Sequence, residues 1–438
     1  MTEIRESRNV MVAKHNFRRS SVGARKLEPE TLMLGFGFDP TLSEGAVKTP
    51  IFLTSTFAYA TCEEGKLLFD YMSGRQATPE GQDAGLIYTR FNNPNLQIVE
   101  ERLAVLEGAD SCAVFSSGMA AILTSLLATT EPGDVVMRSR PLYGGTETLF
   151  DNLLARLGVR SVSFFDGVDP AVVETAAEEA QALGRVAGIY VETPANPTNS
   201  VVDLDLMAAT ATKIADRQGD KPMIIVDNTL LGPLYQSPLA HGADLVVYSL
   251  TKYVGGHSDL IAGSVAGRAA PMKKVRSLRN LIGNQLDVHS AWMLTRSLET
   301  LRLRMDKAFA NAAEVAGWLR DQPQVERVDY LGFAPAGSRE ADVIERECGA
   351  HGATFSFTVR GGQEAAFRVL DSLEVFKLAV SLGGTESLAC HPGSTTHSGV
   401  SANERAILGI AEGLIRVSVG IESPKDLIAD LARGLAAV

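Results

Sequence analysis

The stretch VVYSLTKYVGGHSDLIAG, Val246 to Gly263, decides how the rest of the chain is read. An apolar, β-branched run ends at Tyr248. Ser249, Thr251 and Lys252 follow, and the pair Gly255-Gly256 then turns the chain. A short continuous apolar run bounded by such a turn predicts a strand buried on both faces. A lysine at the end of a buried strand sits where water is scarce, which lowers its pKa from about 10.4 toward ~7 to 8. In that state it is an amine nucleophile toward an aldehyde and a proton carrier. An ordinary surface lysine is the competing reading. The apolar approach and the glycine turn favour the functional one.

From Asn93 onward the same pattern recurs. The runs SCAVF, DVVMRS, VAGIYVE, PMIIVD and ADLVVY alternate with helical stretches, which predicts a mostly parallel sheet covered by helices on both faces. In such sheets ligand groups gather beyond the carboxyl ends of the strands. SCAVF is followed by Ser116-Ser117-Gly118-Met119 and a helix pattern, so free N–H groups at the helix start could hold a phosphate. A plain Ser N-cap gives the same pattern. IIV is followed by Asp227-Asn228-Thr229; a carboxylate there needs a partner, which a cationic ligand nitrogen or the cap of the next helix would supply. One lysine, one buried acid and one phosphate cradle on neighbouring strand ends match the needs of pyridoxal 5'-phosphate: an amine for the aldehyde, an anion for the pyridine nitrogen, and donors for the phosphate. Lys252 would then hold the cofactor as a Schiff base.

The bulk numbers agree. The 438 residues are 45% hydrophobic and 21% charged, enough for a sizeable core and two or three domains. A net charge of -11 argues against nucleic acid or an anionic membrane surface as partner. Cys62, Cys112, Cys348 and Cys390 are scattered without a CxxC pair, so free thiols in a reducing cytoplasm are expected. No apolar run approaches the roughly 18 residues of a membrane span, and the basic N-terminal stretch, residues 1 to 27, lacks the apolar segment of a secretory signal. A frayed tail or an arm embracing a neighbouring subunit is expected there. Ser73 to Gly85 reads as a polar surface loop. After Arg304 a long helical stretch, RMDKAFANAAEVAGWLRDQ, leads into short strands such as VERVDYL and GATFSFTV, which predicts a smaller α+β domain. The expected division is an N-terminal arm over 1–92, an α/β domain over 93–303 and an α+β domain over 304–438.

Two other classes fit poorly. LGFGFDP has Gly35 and Gly37 but Pro40 where a dinucleotide fingerprint needs its third glycine. The seven histidines lack metalloprotease spacing, so no metal site is expected, and His257, His391 and His397 read as structural or polar-loop residues.

YTRFNNPN, FSSGMAAI, PLYGGT, VETPANPTN, VDNT, SLTKYVGGHSD, SLGGTESLACHP and LIRVSVGIE occur in one order from about Leu32 to the C-terminus. In this the chain resembles the Cys/Met metabolism family of pyridoxal-phosphate enzymes, which holds cystathionine γ-synthases and γ-lyases, methionine γ-lyases and O-acetylhomoserine sulfhydrylases. The resemblance implies the aspartate-aminotransferase-like fold, fold type I. It also implies roles. Lys252 is the Schiff-base lysine and proton shuttle. Asp227, helped by Thr229, pairs with the pyridinium nitrogen. Ser117, Gly118, Met119, Ser249 and Thr251 bind the phosphate, which Tyr88 and Arg90 reach from a neighbouring subunit. Tyr143 stacks on the ring and can act on the leaving group. Arg416 clamps the substrate carboxylate, with Ser381, Asn196 and Thr396 nearby.

The activity so implied is elimination at Cγ, or Cβ, of a thioether amino acid to a 2-oxo acid, ammonia and a thiol, in a cytoplasmic homotetramer built from dimers that share sites. A γ-replacement synthase uses the same parts, and a non-catalytic cofactor-binding regulator is the alternative of another class. Two departures bear on substrate. Gly145 stands where methionine γ-lyases usually carry cysteine, and Val380 stands where cystathionine γ-lyases tend to carry an acid that meets a distal ammonium. Val380 favours a small or apolar distal group. In LIGNQLDVHSAW, Asn284 and Val288 replace the small residue and proline of the family pattern.

Overall fold

The computed structural model describes residues 17–78 and 85–438. The first sixteen residues of the basic N-terminal stretch, and the centre of the Ser73 to Gly85 loop, lie outside the described residues. After a small hairpin of β1 (Ser21–Val22) and β2 (Arg25–Lys26), seven strands build the main sheet. They are β3 (Ser111–Phe115), β4 (Val135–Ser139), β5 (Arg160–Phe164), β6 (Val186–Glu192), β7 (Met223–Asp227), β8 (Leu245–Tyr248) and β9 (Gly263–Gly267). Their order is β3-β9-β8-β7-β6-β4-β5.

The expected parallel sheet is there, with one addition. Strands β5, β4, β6, β7 and β8 are parallel, whereas β9 lies antiparallel between β8 and β3. Two antiparallel steps restore the direction, so β3 again points the same way as β8. The carboxyl ends of β3, β4, β6, β7 and β8 therefore share one edge of the sheet, and β9 begins there. All of β6 is buried, as are all of β4 and β8, because helices cover both faces. The covering helices start where short polar side chains cap them: Ser117 Oγ accepts from Ala120 N, Asp169 from Ala171 N and Asp203 from Leu206 N.

The second sheet has the order β10-β11-β14-β13-β12, from β10 (Val325–Asp329), β11 (Thr354–Val359), β12 (Lys377–Leu378), β13 (Leu388–Cys390) and β14 (Leu414–Ser418). Its pairs are antiparallel except β12 with β13. The predicted long helix spans Leu301–Arg320, and its first residues fall before the expected division at 303/304. One apolar core joins the two halves, with Val226 and Leu250 from the first, Phe355 and Ile415 from the second, and Leu319 of the long helix. Cys62, Cys112, Cys348 and Cys390 are unpaired.

Candidate active site

Beyond the shared strand ends lies a cavity of about 220 Å3 lined by Ser117, Gly118, Met119, Tyr143, Asn196, Asp227, Thr229, Ser249, Thr251 and Lys252, together with Glu192, Ile122, Pro194, Leu230, Ile261 and Leu382. Most of the residues singled out in the sequence converge here.

Lys252 is in the turn that follows β8. Its Nζ donates to Ser381 Oγ at 2.9 Å. Burial, and then the nearby charge of Arg416, lowers its pKa from 10.5 to about 8. Ser381, between β12 and β13, has φ +93, a left-handed conformation that a side chain normally avoids. Its carbonyl accepts from Arg416 Nη2 at 2.7 Å, and Asn196 Oδ1 accepts from Nη1 at 3.1 Å. Arg416 Nε, buried, has no partner among the described residues, and neither bond to the guanidinium comes from a carboxylate. A buried guanidinium satisfied only by carbonyl oxygens is prepared for an anion.

Asp227 ends β7 and Glu192 ends β6, paired in register. Asp227 Oδ1 accepts from Thr229 Oγ1 at 2.6 Å and Thr229 N at 3.1 Å, so the turn after the strand is built on this carboxylate. Tyr190 OH faces its other oxygen at 3.5 Å. Burial raises the Asp227 pKa despite these donors. Burial and then Asp227 push Glu192 up to about 8. Two enclosed acids with no basic side chain bonded to either of them among the described residues suit a cationic ligand nitrogen.

At the other end of the cavity the two readings of Ser117 are both realised: its side chain caps the helix Gly118–Thr129, and it lines the site. The backbone here is tightly packed. A Cβ on Gly263 would lie 2.2 Å from Ser117 O, and one on Gly118 would lie 2.9 Å from Ser249 Cβ. Only glycine lets the start of β9 pass so close to the helix N-terminus, which leaves hydroxyls of Ser117, Ser249 and Thr251 around N–H groups at the positive end of the helix. These features fit pyridoxal phosphate: an amine of lowered pKa, an acid for the ring nitrogen and a cradle for the phosphate.

Tyr88 and Arg90 are not among the lining residues of this cavity. Arg90 donates to Asn280 O, and its guanidinium lies 4.3 Å from the Phe91 ring centroid. Thr396 is not among the lining residues either: its carbonyl would be 2.1 Å from a Cβ on Gly144, and its hydroxyl pairs with His397 Nδ1 at 2.9 Å. Val380 is exposed and lines a separate surface cavity with Leu378 and Phe367. His257, His391 and His397 hold loops: His257 Nδ1 pairs with Gly255 O, His391 Nε2 with Glu412 O and His397 Nε2 with Leu142 O. Sequence reasoning missed Glu192 and Tyr190, although Glu192 follows an apolar strand just as Asp227 does.

The model of the Cys/Met metabolism PLP-dependent enzyme family matches residues 30–436. The chain is 38% identical to an L-methionine gamma-lyase of Pseudomonas deceptionensis over 410 residues, covering 93% of this chain and 97% of that one. It is 37% identical to an O-succinylhomoserine sulfhydrylase of Pseudomonas aeruginosa over 396 residues, covering 90% and 92%. Its structure resembles that of cystathionine gamma synthase from Xanthomonas oryzae pv. oryzae in complex with cystathionine, with a TM-score of 0.82 at 33% identity, covering 94% and 99%.

Proposed function

Because this chain belongs to the Cys/Met metabolism PLP-dependent enzymes, we propose that it eliminates a thiol from Cγ of a thioether amino acid with a small, apolar distal group, of the methionine type. The products are a 2-oxo acid, ammonia and the thiol. The observation that carries the reading is that Ser381 links Lys252 to Arg416, whose two bonded partners are not carboxylates, while Met119, Ile261 and Leu382 give the cavity apolar lining. Glu192 and Asp227 are the only acids among the described residues that line the cavity, and both end strands of the main sheet. Both Glu192 oxygens accept from backbone N–H groups and Asp227 is assigned to the ring nitrogen, so among the described residues neither acid is open to a second ammonium. The relation to an L-methionine gamma-lyase supports the same reading.

When bound, the cofactor supplies an electron sink that makes the substrate Cα–H acidic. Lys252 would hold it, Asp227 would keep its ring nitrogen protonated, and Ser117, Gly118, Met119, Ser249 and Thr251 would hold its phosphate. Lys252 Nζ would take the Cα proton and carry protons at Cβ, with Ser381 Oγ fixing its direction. Arg416 anchors the substrate carboxylate, and Asn196 and Ser381 hold Arg416. Tyr143, which lines the cavity and is partly exposed, would act on the departing sulfur.

A γ-replacement reading is favoured by Gly145. A Cβ there would lie 2.6 Å from Tyr143 Cε1 and 3.3 Å from Met119 Sδ, so this chain seats Tyr143 in space that a side chain would claim. Relation to an O-succinylhomoserine sulfhydrylase supports it too. Incubating the holoenzyme with methionine, and with O-acetyl- or O-succinylhomoserine with and without sulfide or cysteine, separates the two. 2-Oxobutanoate from methionine without added thiol is expected; a thioether product with no oxo acid overturns the elimination reading. A coloured protein inert toward all of them would be a non-catalytic regulator.

The assembly we propose is a homotetramer of dimers with shared sites. What supports it is that Tyr88 and Arg90, which in the family reach the phosphate from a neighbouring subunit, lie outside their own chain's cavity. A monomer with full activity in solution would overturn it. We also propose an N-terminal arm over 1–92, a cofactor domain over 93–303, a C-terminal domain over 304–438, and a cytoplasmic location. No helix of the described residues is long and apolar enough to cross a membrane.

A further inference from the structure

We propose that Glu192 is a positioning residue that locks the loop carrying Tyr143 to the loop carrying Asn196, and through Asn196 sets the substrate clamp Arg416. The inference rests on the family's cofactor and on an α-carboxylate substrate, whichever of elimination or replacement follows.

The geometry is a fork. Glu192 Oε2 accepts from Tyr143 N at 2.7 Å, and Oε1 accepts from Asn196 N at 2.8 Å. The two donors come from separate connections, one after β4 and one after β6. Tyr143 is the residue that opens the short helix Gly144–Thr148, so fixing its N–H fixes the backbone from which its ring projects. Asn196 passes the restraint on: its Oδ1 takes Arg416 Nη1, Arg416 Nη2 binds the Ser381 carbonyl, and Ser381 Oγ takes Lys252 Nζ. A single side chain thus coordinates the wall of the cofactor cavity and the substrate anchor.

The ionised side chain does this fully, so the measurements below are made above about pH 8, where Glu192 has lost its proton. It then accepts at both oxygens, whereas a glutamine has one acceptor and would turn an NH2 group toward the second N–H. The cost of keeping the acid is visible. Glu192 is 5% exposed, lies beside Asp227 in register, and burial raises its pKa. A buried acid next to another persists where its hydrogen bonds are needed. Its own N–H donates to Ser139 Oγ at 3.2 Å, which ties the strand ends as well.

The test uses full-length Glu192→Gln. We expect the affinity of its apo form for pyridoxal phosphate to fall about tenfold, the equivalent of one net hydrogen bond to a charged group. The affinity of its holo form for propionate, a carboxylate that cannot react, should fall by a similar factor. The visible circular dichroism of the bound cofactor should change while the melting temperature of the apo chain stays close to wild type. In a double-mutant cycle with Asn196→Ala, the propionate effects should be non-additive. Wild-type affinities and dichroism in folded Glu192→Gln overturn the proposal, as do additive effects. If Glu192→Gln does not fold, Glu192→Asp serves, since it keeps the charge but cannot span both N–H groups. Losses in both affinities support the proposal, and wild-type values overturn it. These are binding readouts, so they stand apart from the outcome of the turnover assays.

Discussion

Lys252 Nζ donates to Ser381 Oγ at 2.9 Å, and the carbonyl of the same serine holds Arg416 Nη2 at 2.7 Å. The amine proposed to carry protons and the guanidinium proposed to hold the substrate are therefore joined through one residue, whose φ is +93. Non-glycine residues in this region cost of order 1–3 kcal/mol, and such strain persists where the surroundings demand it.

Replacing Ser381 separates its two contributions. Ser381→Ala keeps the backbone strain but removes the hydroxyl, and kcat should fall about tenfold, the equivalent of a lost hydrogen bond. Ser381→Gly should lose the same activity while gaining roughly 1 kcal/mol of stability in urea, because glycine accepts a positive φ. Equal activity in wild type and Ser381→Ala would show that the hydroxyl does not orient the amine.

The lowered pKa of Lys252, about 8, predicts a pH profile for cofactor capture by the apo chain. Only the neutral amine attacks an aldehyde, so the capture rate should rise with pH through about 8 and then level off. Arg416→Ala removes the second cause of the shift and leaves burial, so its midpoint should move to higher pH. Growth of the bound cofactor's visible absorbance reports both curves, and Lys252→Ala should show no growth. Coincident curves would mean that Arg416 does not act on the lysine.

Arg416→Lys keeps a positive charge but loses the planar fork that Asn196 and Ser381 hold. Bidentate recognition of a carboxylate then fails, and kcat/KM should drop on the order of 10²–10³-fold, or about 3–4 kcal/mol. Pyridoxal phosphate should bind as before, since Arg416 faces the substrate. Steady-state kinetics with an equilibrium titration of the cofactor checks both halves.

Glu107 predicts a pH effect on stability. It is buried, Tyr248 OH donates to one carboxylate oxygen, and the other has no partner among the described residues. Burial raises its pKa from 4.5 to about 8, against the Tyr248 bond. The folded state therefore holds a proton that the unfolded state gives up. Its stabilisation is complete below about 4.5 and is lost as pH rises through about 8. Glu107→Gln should flatten the fall in denaturation midpoint over that window, and an unchanged slope would exclude Glu107 as its source.

The main sheet is legible in the sequence because buried parallel strands are written as unbroken apolar runs, each followed by its functional residue: Ser117 after β3, Asp227 after β7 and Lys252 after β8. The antiparallel insertion of β9 is not written that way, since GSVAG carries two glycines and a serine. The links from Lys252 to Ser381 and from Asn196 to Arg416 join residues 129 and 220 positions apart. Local pattern carries no such information; only the resemblance brought Ser381 and Arg416 forward. Glu192 obeys the strand-end rule but looks like part of the turn motif that follows it. The outward exposure of Val380 follows from the edge position of β12, which a sequence does not reveal.

That the amine follows a strand of the main sheet while its hydroxyl partner lies between strands of the second has a bearing on biogenesis. A ribosome that has released the chain only as far as Gly267 has already exposed the reactive lysine, yet Ser381 and Arg416 are still to be made. The strand ends proposed to hold the vitamin-derived prosthetic group are thus translated before the groups proposed to anchor the substrate, so the part of the receptacle that handles substrate is finished only with the last strands.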